Sequence, residues 1–160
     1  MSRVKKQVIF LAMAQDLAKM STCMSRQVGC VLTDGYGRVS GTGFNGAPSG
    51  ISHRCMDTRC ARHDFKSGER LDLCLAIHAE ANALMHCTDI KEVEEAFVHG
   101  ASPCFECAKL LCNSSVNRVY VDRLYCPEHV ALIRPMFEER RIKLFEYVNE
   151  NMPFPFKQII

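Results

Sequence analysis

The sequence predicts one α/β domain, a mixed sheet of about five strands covered by helices on both faces. Three observations support this. An amphipathic helix and a hairpin open the chain, helices alternate with single strands beyond residue 77, and no internal repeat interrupts that order. The chain has 160 residues, 48% of them hydrophobic, which suits a single packed core.

Val4, Val8, Leu11, Ala14 and Ala18 recur at helical spacing while Lys5, Lys6 and Asp16 fall on other faces, so the first twenty residues read as a helix. Residues 27–33, rich in Val, Leu and Cys, and residues 38–44 flank the turn residues Asp34, Gly35, Tyr36 and Gly37, which predicts a hairpin. Gly41, Gly43, Gly46, Pro48 and Gly50 then crowd one segment. That density predicts an irregular loop where backbone can approach a ligand, with a plain connection as the alternative. Residues 52–74 are polar and without periodicity, and an irregular insertion that long is functional or held by something. Beyond it the pattern predicts helices over 77–87, 104–112 and 128–140, and strands over 95–99, 118–122 and 142–148.

The net charge is +2 and the basic residues are scattered, so a long nucleic acid is not the expected partner. The apolar stretch 8–14 is too short to span a bilayer and is followed by no small-residue cleavage site, which leads to the expectation of a cytoplasmic protein without a membrane partner. Ten cysteines would suit disulfides in a secreted chain. In a reducing cytosol, cysteines interleaved with histidines point instead to a metal, zinc foremost.

His78-Ala79-Glu80 and Pro103-Cys104-Phe105-Glu106-Cys107 each stand at the expected start of a helix. Cysteines three apart place both sulfurs on one face of a first turn, where unpaired N–H groups and the helix dipole favour thiolates. His78, Cys104 and Cys107 make three ligands, leaving a tetrahedral zinc with one open position, the mark of a catalytic site. Glu80 is not needed as a ligand and is the expected proton carrier. A C-x-x-C alone equally suits a redox pair or half a structural site, and a lone H-x-E an ordinary helix start. The two together form the established signature of zinc-dependent deaminases.

The chain resembles the deoxycytidylate (dCMP) deaminase family from Ser21 to about Asp122, in the segments STCMSRQVGCVL, GTGFNGAPSG, SGERLDLC, IHAEANAL, SPCFECAKLL and RVYV. The resemblance implies a cytidine-deaminase-like α/β/α fold and hydrolysis of dCMP to dUMP, the precursor for thymidylate synthesis. It further implies a homohexamer activated by dCTP, with Mg2+ accompanying the effector, and inhibited by dTTP. By the same resemblance Asn45 contacts sugar and base, Ser25, Arg26 and Gln27 lie near the phosphate, Ala79 offers a backbone contact to the base, and Tyr125 closes over the ring. Arg26 has its own rationale, because a guanidinium grips phosphate with a fork of donors; a solvated surface Arg is the alternative. The turn Asn113 to Asn117 departs from the Gly-containing turn of many members.

Cys23, Cys55, Cys60 and Cys74 flank or lie within the irregular insertion, which has too few apolar residues to order itself. Four thiolates would close a structural zinc site, as in some relatives, with His53 and His63 as alternative ligands. Small buried hydrophobes are the other reading of these cysteines. Cys30, Cys87, Cys112 and Cys126 read as core packing, and His86, His99 and His129 carry no assigned role.

Four other functions compete. A dCTP-accepting deaminase would use the same machinery, and an RNA base deaminase shares the catalytic pattern but calls for a basic face. A riboflavin-pathway or free-base deaminase fits less well with Arg26 and the Asn45 loop, and a non-catalytic zinc module leaves Glu80 idle.

Overall fold

In the computed structural model, residues 3–52, 54–57, 59–66, 68–149 and 154–160 are described. Helix α1 (Lys6–Ala18) precedes the hairpin of β1 (Gly29–Asp34) and β2 (Val39–Phe44). Among its described residues, the insertion holds a short helix α2 (Arg54–Asp57) and a 3-10 turn at Leu71–Leu73. Then follow α3 (Ala79–Met85), β3 (Val93–His99), α4 (Phe105–Cys112), β4 (Arg118–Val121), α5 (Pro127–Glu139), β5 (Lys143–Tyr147) and β6 (Phe156–Gln158).

The sheet order is β2-β1-β3-β4-β5-β6. Strand β1 pairs antiparallel with both β2 and β3, while β3, β4 and β5 run parallel and β6 returns antiparallel to β5. Six strands thus replace the expected five. The sixth is three residues long and follows Pro153 and Pro155, too short and too interrupted for an alternating pattern to show.

Helix α1 covers one face, where Leu11 and Ala14 pack with Val31, Phe97, Tyr120 and Phe156. Phe10, Phe97, Tyr120 and Phe145 continue this layer as a row of rings with centroids 5.1, 5.0 and 4.9 Å apart. At Gly29 the helix lies directly on the strand, for an added Cβ would stand 2.0 Å from the Ala14 carbonyl oxygen. The opposite face carries α3, α4 and α5, whose Ala83, Leu111 and Phe137 join Leu32, Val98, Val119 and Leu144 in the larger core. Cys30 is buried in that core, with Cys87 and Cys112 packed at its margin. No helix among the described residues is long and apolar enough to cross a membrane.

Gly41 and Gly43 belong to β2 and not to an irregular loop. What approaches their backbone is α3: a Cβ on Gly43 would lie 2.3 Å from the Ala79 carbonyl oxygen and 2.4 Å from the Ala83 nitrogen. Farther along, Gly46 exchanges backbone hydrogen bonds of 3.1 and 2.8 Å with Ile77. These contacts fix where α3 begins.

Candidate active site

His78 is the N-cap of α3 and Cys104 the N-cap of α4, and the two helix starts come together in space. The His78 Nδ1 lies 3.3 Å from Cys104 Sγ and 3.4 Å from Cys107 Sγ. Among the described residues, these three form the one group of candidate ligands with donor atoms all within 4.8 Å of one another. A tetrahedral zinc with Zn–S of ~2.3 Å and Zn–N of ~2.0 Å separates nitrogen from sulfur by about 3.6 Å, so the donor set and its spacing fit zinc.

The Cys104 sulfur accepts from the Cys107 N–H over 3.5 Å. The Cys107 thiol, His78 and that N–H together hold the Cys104 thiol down to about 4. In turn, the neighbouring Cys104 and burial push the Cys107 thiol up, and the Cys104 sulfur raises the His78 imidazole. Glu80, in the first turn of α3, is 3% exposed. Burial lifts its carboxyl above the ordinary range, with Cys104 adding to the rise, while hydrogen bonds from its own backbone N–H and from Cys107 oppose it. A buried carboxyl held near three metal donors is placed for proton transfer.

Ser25, Arg26, Gln27 and Tyr125 line one cavity of about 700 Å3, with Lys19 and Arg123 at its wall. The Arg26 guanidinium stacks 4.1 Å above the Tyr125 ring, and it lies near enough to His78 to disfavour the imidazolium. Tyr125 is seated by its backbone N–H, which donates to Ser102 Oγ over 3.0 Å. Asn45 and Ala79 stand apart from that lining. Asn45 Oδ1 accepts from the Val28 N–H at 2.8 Å and from the Ser21 hydroxyl at 2.7 Å, while Nδ2 donates to the Arg26 carbonyl at 2.8 Å. Any contact with a sugar therefore falls to the second Nδ2 hydrogen.

Cys23, Cys55, Cys60 and Cys74 all line a second, smaller cavity of about 80 Å3. The Arg62 backbone N–H lowers the Cys60 thiol, whereas burial and the neighbouring Cys60 raise that of Cys55. Their sulfurs are more widely spread than the donors of the His78 group. His63 points elsewhere, 3.2 Å from Asp64 and 3.0 Å from Arg59. His53 lies outside the described residues.

Residues 4–123 match the family described as the cytidine and deoxycytidylate deaminase zinc-binding region. The chain belongs to that family. This deaminase-family chain is 37% identical over 119 residues to the deoxycytidylate deaminase of Schizosaccharomyces pombe, an alignment covering 72% of this chain and 36% of the relative. The chain thus spans only about a third of that relative's length. It is 35% identical over 125 residues to the deoxycytidylate deaminase of Mycobacterium phage D29, covering 74% of this chain and 95% of the relative. In fold it is similar to the dCMP deaminase of cyanophage S-TIM5 crystallised with dCMP and dUMP, at a TM-score of 0.69 and 22% identity over 91% of this chain and 99% of that one.

Sequence reasoning did not single out Ser21 or Ser102, although they seat Asn45 and Tyr125 in this deaminase-family site. Both serines lie in segments that carry the family resemblance, yet nothing local marks a serine that binds a backbone N–H 23 residues away, as Ser102 does.

Proposed function

We propose that the chain hydrolyses dCMP to dUMP and ammonia, with zinc held by His78, Cys104 and Cys107 and proton transfer by Glu80. The observation that carries this reading is the buried Glu80 carboxyl set against a three-donor cluster of one nitrogen and two sulfurs. When bound, zinc supplies Lewis acidity that makes a water acidic enough to attack near neutral pH.

The chain's own residues supply the rest. Glu80 takes one proton from the attacking water and passes it to N3 of the cytosine, then takes the proton of the new C4 hydroxyl and gives it to the amine, which leaves as ammonia as the C4 carbonyl forms. Its raised pKa suits both taking and giving a proton. Arg26 faces the 5′-phosphate with a fork of donors, flanked by Ser25 and Gln27, while the Tyr125 ring that it stacks on borders the same cavity. Because its carbonyl faces Gly43, Ala79 offers the base its N–H, one of the first-turn donors without a helical acceptor.

The four cysteines that line the smaller cavity are read as a second, structural zinc site, supported by four thiol donors around one cavity in or beside an insertion with little regular structure. A homohexamer, activation by dCTP with Mg2+ and inhibition by dTTP rest on the family resemblance alone, and cytoplasmic residence on the sequence features given above. The test is ammonia release from dCMP, dCTP, CMP and deoxycytidine, each with and without added dCTP and Mg2+. Turnover should be highest on dCMP. Activity on structured RNA without activity on dCMP would overturn the proposal.

A further inference from the structure

Ser25 lies on both cavities. Its hydroxyl donates to Cys60 Sγ over 3.9 Å, and the next residue, Arg26, stacks on Tyr125 in the larger cavity. Two residues earlier, Cys23 lines the cysteine cavity. Residues 21–28 form neither helix nor strand, so side-chain tethers decide the path of this arm. Asn45 ties its ends, through the Ser21 hydroxyl, the Arg26 carbonyl and the Val28 N–H. Between those ties Thr22 Oγ1 accepts from the Ala47 N–H and the Cys23 N–H donates to Ser21 Oγ, while Ser25, next to Arg26, reaches Cys60.

The cysteine cavity also touches Cys74, Leu75 and Ala76, shortly before the metal ligand His78. That route is blocked. Ile77 is clamped to Gly46 by the paired backbone hydrogen bonds of 2.8 and 3.1 Å, and α3 beyond it is seated on Gly41 and Gly43. A disturbance at the four cysteines therefore has its path to Arg26 along the 21–28 arm, through Cys23 and Ser25, and meets the clamp at Ile77 before His78 and Glu80.

We propose that the four-cysteine zinc centre is a positioning device for Arg26, governing affinity for the 5′-phosphate of the nucleotide and leaving the deamination step alone. The proposal rests on the deaminase reading and on the second zinc given above. It assigns Cys60 and Ser25 as positioning residues acting through Arg26.

The experiment measures zinc per chain and the binding of dUMP and deoxyuridine by calorimetry, for the unaltered chain, Cys60→Ser, Arg26→Ala and the double variant. Cys74→Ser, on the other side of the cavity, serves should Cys60→Ser fail to fold. The unaltered chain should hold two zinc ions, and each cysteine variant one. Loss of a charge-assisted phosphate contact predicts dUMP binding weakened by roughly 10-fold or more, with deoxyuridine binding unchanged. On dCMP the same variants should raise KM and keep kcat. In the Arg26→Ala background, Cys60→Ser should cost nothing further, because both act on one contact. Unchanged dUMP affinity, an equal loss for deoxyuridine, additive losses in the double variant, or a single zinc in the unaltered chain overturns the proposal. Failure of the deaminase reading shows separately, as absence of ammonia release from dCMP by the unaltered chain.

Discussion

In the proposed reaction, Glu80 and the three donors beside it divide the labour between proton transfer and metal holding, and a single substitution separates the two. Glu80→Gln keeps the shape of the side chain and removes its proton chemistry, so kcat should fall by about 100- to 10,000-fold while zinc content stays that of the unaltered chain. Elemental analysis beside an ammonia assay checks both halves. His78, Glu80, Cys104 and Cys107 were legible in the sequence because each ligand is placed by a spacing of two or three residues at a helix start. Asn45 was not legible in the same way. Its segment announced a polar residue, but three hydrogen bonds to Ser21, Arg26 and Val28 exist only once residues 21–28 fold across it.

Among the elements, α3 is closely constrained, since it follows the candidate ligand His78 and lies against the bare backbone of β2. Gly43→Ala would force its Cβ into the Ala79 carbonyl and the Ala83 nitrogen. Overpacking of this kind costs about 1–3 kcal/mol, and because it displaces His78 it should also weaken zinc binding, read by competition with a chromogenic chelator. The glycines themselves stood out in the sequence, yet their partner did not: the same density serves a ligand or a neighbouring helix. Strand β6 was illegible for a different reason. Its pairing of Tyr147 with Phe156 is set by the geometry of β5 and by no periodicity of its own.

For the whole molecule, order is shared between an aromatic layer and an aliphatic layer, and in the proposed holoprotein a zinc held by His78, Cys104 and Cys107 would also link the starts of α3 and α4. The alternation of helices and strands revealed that three-layer plan from sequence, although not which helices would share a face. Phe97 is fully buried between α1 and the sheet and touches the rings of Phe10 and Tyr120. Phe97→Ala should cost about 3–5 kcal/mol in urea unfolding, a large part of any domain's stability. Removing zinc with a chelator should lower the melting temperature, because a ligand bound only by the folded chain at 100 times its Kd contributes about 2.7 kcal/mol. Readdition of zinc, and not of Mg2+, should restore it.

The seating of α1 on Gly29 also bears on how the protein could be diversified. With the Ala14 carbonyl 2.0 Å from where any side chain would begin, position 29 accepts hydrogen alone. A mutagenesis library should hold that codon constant and spread its diversity over the outward residues of the same helix, such as Ile9 and Ala12, where solvent leaves room for change.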